Sequence, residues 1–182
     1  MIIGTSKLLE LVKEIKLVEN LSERELTNPE GEGFDIRVGE VYKISGESFL
    51  GVKERSTAKI ELIAAYNPNL EKQSIITLNP RDYILVKTIE KVNLPDNISA
   101  MFTARTTLQR NGILLKTSNA SPGYCGELTF AMFNAGNIKF KLELEARIAT
   151  AIFYQTTKNI SDYRGQWQGG RVSTQGDSEG QV

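Results

Sequence analysis

Arg105-Thr106-Thr107-Leu108-Gln109-Arg110 is the stretch of this 182-residue sequence whose side chains are best suited to chemistry. Two arginines flank two hydroxyls. A guanidinium fork with hydroxyl donors can hold several phosphate oxygens through charge-assisted hydrogen bonds. If the backbone turns helical at Thr106, its free N–H groups would add to that anion site. Lone arginines are by default surface ion-pair partners; the Thr-Thr pair between these two favours phosphate. Histidine is absent from the sequence, which removes Ser-His and Cys-His nucleophile pairs and the usual zinc sites. Zinc-dependent deamination is excluded with them. No metal held by protein ligands is expected. Asp35 reads as a structural acid bonded to a turn. Glu127 is a minor candidate for a base, and Cys125 reads as buried bulk with nothing near it to lower its pKa.

The elements that must position these groups are mostly strands. Leu8, Leu11, Val12 and Ile15 share one face and predict a helix over Ser6–Leu17, with Thr5 or Ser6 as its cap. Ser22 to Gly33 is polar, carries Pro29, Gly31 and Gly33, and reads as a loop. From Phe34 onward short strands alternate with turns: Phe34–Arg37, Glu40–Ile44, Lys59–Ala65, Ser74–Leu78, Tyr83–Thr88, Ser99–Thr103, Ile113–Lys116, Glu127–Phe133, Lys139–Glu143 and Ile148–Tyr154. This spacing predicts an all-β sandwich or barrel. Asn67-Pro68-Asn69, Asn79-Pro80-Arg81-Asp82 and Pro95-Asp96-Asn97 mark turns. One domain over 1–155 and a C-terminal arm over 156–182, partly disordered, is the expected division.

The ordered set of motifs resembles the dUTPase and dCTP deaminase superfamily. Phe34-Asp35-Ile36-Arg37-Val38-Gly39 is similar to that family's early S-x-D-L-R-L-G element. Arg105 to Arg110 is similar to its R-S-S/T-L-x-R phosphate motif. Ser121-Pro122-Gly123-Tyr124-Cys125-Gly126-Glu127-Leu128, followed by Asn134, is similar to its hairpin and following strand. Tyr163-Arg164-Gly165-Gln166-Trp167-Gln168-Gly169-Gly170 is similar to the deaminase branch's Y-x-G-K-Y-Q-G-Q arm. The resemblance implies a distorted barrel or jelly-roll-type sandwich with an N-terminal helix and a flexible C-terminal arm. It implies phosphate binding by Arg105, Thr106, Thr107 and Arg110, and a base and sugar pocket at Ser121, Tyr124 and Gly126. It further implies a lid of Tyr163, Trp167, Gln168, Gly169 and Arg171 that closes over a nucleotide, and a homotrimer with shared pockets. Beyond Ser173 a frayed end is expected.

The departures from the family fall on its chemistry. Its hairpin Asp position is Ser121, and the Glu position of the deaminase branch is Ala131. The connection from Arg110 to the hairpin is shorter than the family spacing. A serine hydroxyl without an activator is a poor base, and alanine cannot move a proton. The expectation is therefore a protein that binds a pyrimidine deoxynucleoside triphosphate, dUTP or dCTP, as a divergent dUTP diphosphatase with Mg²⁺ carried on the substrate phosphates. The alternatives are a non-catalytic nucleotide-binding or regulatory homologue and, least supported, a dCTP deaminase. Lys and Arg together number 22, as do Asp and Glu, so no nucleic-acid polymer or anionic membrane is an expected partner. No apolar run spans a bilayer, no signal peptide is read, and a single cysteine fits a reducing, cytoplasmic setting.

Overall fold

The apolar face repeating through Leu8, Leu11, Val12 and Ile15 needs a surface to cover, and the strands supply it. In the computed structural model, which describes residues 1–157 and 163–181, this segment is helix α1 (Thr5–Ile15), with Leu8 fully buried. Neither expected cap is used: Gly4 is the N-cap and Thr5 is already helical. Lys16 turns left-handed at the other end (φ 54°). The N–H groups of Lys16 and Leu17 then close on the carbonyls of Val12 and Leu11.

Strand β1 (Val18–Glu19) precedes a short helix, α2 (Glu23–Thr27), inside the segment expected to be loop. Ser22-x-x-Glu25 is a capping pattern, and Ser22 Oγ accepts from the Glu25 N–H at 3.4 Å. Glu25 is buried; its carboxylate pairs with Arg24 and accepts the Asp35 N–H at 3.1 Å. Next comes β2 (Gly33–Ser45), where two separate strands were expected. Its register shifts at Gly39, where an added Cβ would meet Ile89 and Thr88 at 3.0–3.2 Å. The bulge bends one strand instead of ending it.

The remaining strands are β3 (Phe49–Leu50), β4 (Glu54–Ser56), β5 (Lys59–Ala65), β6 (Ile75–Leu78), β7 (Tyr83–Asn93), β8 (Ile98–Ala104), β9 (Ile113–Lys116), β10 (Asn119–Ala120), β11 (Cys125–Asn134), β12 (Phe140–Glu143), β13 (Arg147–Gln155) and β14 (Glu179–Gly180). Helix α3 (Thr106–Arg110) lies between β8 and β9. The main sheet runs β10-β8-β13-β2-β7-β11-β9, with β1 added on β7 and β5 on β2. Because β2 bends, it pairs with β13 through Gly33–Arg37 and with β5 and β7 beyond Val38. The sheet curls around a core of Phe34, Phe102, Phe130 and Phe153, with Ile36, Met132 and Ile148. The fold is all-β, as the strand spacing predicts.

Polar groups inside this core are paired, as burial requires. Glu90 is fully buried and accepts from both the N–H and Nε of Arg37 at 2.7 Å. Burial pushes its carboxyl up, against the pull of Arg37. Asn134, at the end of β11, is also fully buried and donates to the carbonyls of Leu78 (3.0 Å) and Ile138 (2.9 Å).

Candidate nucleotide site

Strand β8 delivers the chain to Arg105, whose extended backbone (φ −64°, ψ 138°) starts the single turn of α3. Leu108 is buried and anchors that turn, which leaves Thr106, Thr107, Gln109 and Arg110 exposed. The arginines differ. Arg105 is tied to Asp35 of β2. The same carboxylate accepts from Arg147 Nη1 at 2.8 Å and Thr150 Oγ1 at 2.8 Å, with Arg24 at 3.8 Å. Asp35 was expected to bond a turn; it instead gathers arginine side chains, because β13 pairs with both β2 and β8 and sets their side chains beside it. Arg110 makes no ion pair among the described residues and borders a shallow depression with Thr106 and Gln109.

A second and larger space lies elsewhere. It is a cavity of about 670 Å³ walled by Tyr124 and Phe130 of the hairpin, by Tyr163 and Trp167 of the arm, and by Phe49, Leu50 and residues 55–58. Ser118, Asn119 and Thr129 also face it. None of the described residues lining it is Asp or Glu, whereas Arg55 and Arg171 both do. Tyr124 is buried, and its phenol donates to the Glu127 carbonyl at 2.6 Å. Burial above all, then the neighbouring Tyr163 and Glu127, pushes that phenol up to about 12. It stays neutral near pH 7 and is no base.

The arm lies on the hairpin. Tyr163 packs edge-on to Tyr124, with centroids 5.3 Å apart. The Gln168 side chain accepts the Cys125 N–H at 3.1 Å and donates to the Gly123 carbonyl at 3.0 Å. Gly126 has φ 150°, and any Cβ there would overlap the backbone of Gly169 and Gly170. The glycines allow the close approach of two backbones. Arg55 sits 4.6 Å and Arg171 5.8 Å from the centre of the Trp167 ring, cation–π contacts on the indole of the expected lid.

The expected fraying beyond Ser173 does not occur in the described residues. Ser173 and Thr174 are buried, Thr174 Oγ1 accepts the Thr57 N–H at 2.9 Å, and β14 pairs with β4. Glu179 joins Arg171 (2.7 Å) and Arg55 (3.2 Å). Polar side chains hold the end where aliphatic burial does not. Residues 158–162 of the arm expected over 156–182 lie outside the described residues.

Of the expected base and sugar pocket, Tyr124 faces the cavity. Ser121 closes the hairpin turn, its carbonyl accepting the Tyr124 N–H at 3.1 Å, and Gly126 meets the arm. Ala131 is half-buried opposite Leu85 and Lys116. Glu127 lies 3.7 Å from Lys87 and outside the cavity wall. Cys125 Sγ donates to Asn93 Oδ1 at 2.9 Å. Arg55, Thr57 and Thr129 were missed from the sequence. The one available signal was the pair of short runs around Gly51, which make the β3–β4 hairpin.

The Arg105–Arg110 loop, the hairpin and the buried strand-end asparagine follow one another along the curled sheet, and the arm comes after them. Residues 2–156 match the dCTP deaminase-like family. A dCTP deaminase of Pyrococcus horikoshii is 30% identical over 158 residues, covering 86% of both chains. One from Thermococcus kodakarensis is 31% identical over 160 residues, covering 87% of this chain and 88% of its own. The solved 2′-deoxycytidine 5′-triphosphate deaminase of Agrobacterium tumefaciens superposes with a TM-score of 0.64 at 13% identity, over 84% of this chain and 47% of that one. This chain thus spans about half the length of that solved protein, and the likeness at such identity is one of fold. With the family match running through the sheet and the Arg105–Arg110 loop alike, the chain belongs to the dCTP deaminase-like family of the dUTPase and dCTP deaminase superfamily.

Proposed function

We propose that this protein binds a pyrimidine deoxynucleoside triphosphate and does not deaminate it by the family's route. The observation that carries this is the contrast between cations and acids. Arg105 and Arg110 flank the exposed threonines, while the family's two acid positions are Ser121 and Ala131 and no described acid lines the cavity. Replacing an amino group on a ring requires a group that moves protons, and loss of such a group typically costs about 10²–10⁴ in rate. The Arg105–Arg110 loop and the aromatic cavity are separate within one chain. A homotrimer that sets one protomer's loop against its neighbour's cavity would join them, in line with the family resemblance.

Hydrolysis of the triphosphate is the second reading, because the phosphate loop is the part of the site that is kept. Phosphoryl chemistry depends chiefly on positioning and charge neutralisation. Among the described residues no group of three or more acids, cysteines or histidines is gathered to hold a metal, so Mg²⁺ would come with the phosphates. The loop's arginines and threonines would then orient the phosphate oxygens.

Calorimetry with dUTP, dCTP and dTTP, together with assays for ammonia and pyrophosphate, tests both readings. Binding without either product is expected. Ammonia from dCTP would overturn the proposal, and pyrophosphate would select the second reading. Ser121→Asp combined with Ala131→Glu is expected to raise the rate; a flat result would remove those two positions from the chemistry. Light scattering is expected to return three times the chain mass.

A further inference from the structure

Arg55 is held on two sides and free on a third. Its Nε donates to Glu179 at 3.2 Å, and its guanidinium lies 4.6 Å from the centre of the Trp167 ring. Its side chain is only 18% exposed, and Nη2 is buried without a hydrogen-bond partner among the described residues. A buried guanidinium N–H without an acceptor is costly. Glu179 is shared with Arg171, so two guanidinium charges face one carboxylate and the cluster keeps one positive charge. Across the same cavity, Thr129 Oγ1 is also buried and unpartnered. Every other wall is aromatic, aliphatic or neutral polar, apart from Arg171.

We propose that the aromatic cavity is a ring-binding subsite in which Arg55 Nη2 donates to an acceptor oxygen of the ligand, with Thr129 Oγ1 as a second contact. A guanidinium only donates, and a threonine hydroxyl both donates and accepts, so the pair suits an oxygen-bearing pyrimidine between aromatic walls. The acceptor is a ring carbonyl or a phosphate oxygen. The β3–β4 hairpin that carries Arg55 thereby becomes a specificity element, distinct from the Arg105–Arg110 loop. The proposal rests on the nucleotide reading above.

The test titrates the full chain with dUTP, deoxyuridine and inorganic tripolyphosphate, by calorimetry and by the emission of Trp167, the only tryptophan. Arg55→Gln is expected to weaken dUTP binding about 10- to 100-fold, as for loss of a hydrogen bond from a charged donor. A matching loss for deoxyuridine alone assigns the ring carbonyl; a loss for tripolyphosphate alone assigns a phosphate. Affinities within twofold of the unmodified chain for all three overturn the proposal. So does a Glu179→Gln variant that loses as much as Arg55→Gln, because Arg55 would then act only through the arm. If Arg55→Gln does not fold, Thr129→Val decides: weaker dUTP binding supports the subsite and unchanged binding overturns it. An unmodified chain that binds no nucleotide overturns both readings. Loss in Arg110→Ala with none in Arg55→Gln overturns this one alone.

Discussion

Three arginines gather around one carboxylate at the Arg105–Arg110 loop and two beside the aromatic cavity, and the two regions hold charge in different ways. At the loop, Asp35 on the central strand β2 gathers Arg105 and Arg147, and Arg110 is left exposed. Beside the cavity, Glu179 near the chain's far end gathers Arg55 and Arg171, which line it with Trp167. The first carboxylate is part of the sheet; the second arrives with the arm. A charge inside a water-poor cavity acts more strongly than one at an exposed turn. Under the function proposed above, the loop would take the charged phosphates and the cavity the neutral ring. The loop is walled by the sheet alone, whereas Tyr163, Trp167 and Arg171 of the arm form part of the cavity's wall.

The largest effect should come from the loop. Arg105→Ala removes a partner of the mostly buried Asp35, which keeps Arg147 and Thr150. A loss of about 1–3 kcal/mol in urea denaturation is expected, with nucleotide binding lost as well. Unchanged stability would break the idea that the sheet holds this loop. Arg110→Ala is expected to lower nucleotide affinity about 10- to 100-fold with an unmoved melting temperature, because no described partner is lost. A fall in melting temperature would show that Arg110 is structural. Gly126→Ala strains a positive-φ position and drives a methyl into Gly169 and Gly170. About 1 kcal/mol or more of arm docking should be lost, seen as faster proteolysis after residue 157 while the sheet melts nearly as before.

Acid gives the smallest effect and separates the two regions. Hydrogen bonds from Arg171, then Arg55, hold the Glu179 carboxyl below its ordinary 4.5. A depressed folded value means that its contribution is present above about 4.5 and is lost as pH falls through the lower folded value. Trp167 emission should therefore change at acid pH, below the ordinary carboxylate range. Glu179→Gln should flatten that change. A transition that survives in Glu179→Gln would show that another group governs the arm.

Much of the sheet was legible because strand alternation is local: Lys59–Ala65 and Ile113–Lys116 occupy the expected residues. The Arg105–Arg110 motif was legible for the same reason, being six consecutive residues. Misread places were those where a distant partner decides. Phe34–Arg37 and Glu40–Ile44 join into one strand because β7 and β13 flank it on either side of a bulge. Ser22–Gly33 holds a helix whose Glu25 is used by the backbone of Asp35. The tail beyond Ser173 looked too polar to pack, and it packs through hydroxyls and one shared carboxylate.

By itself the sequence determined the strand content, the order of the motifs, and that Ser121 and Ala131 stand where the family resemblance leads one to expect acids. Each of these is carried by residues that are adjacent or regularly spaced. Only the tertiary structure decided that Asp35 aims Arg105, that Gly126 seats the arm, and that Arg55 and Thr129 face one cavity from segments more than seventy residues apart. A side chain's chemistry is written in its type, but the partner that orients it and the water it loses are set by what the folded sheet brings beside it.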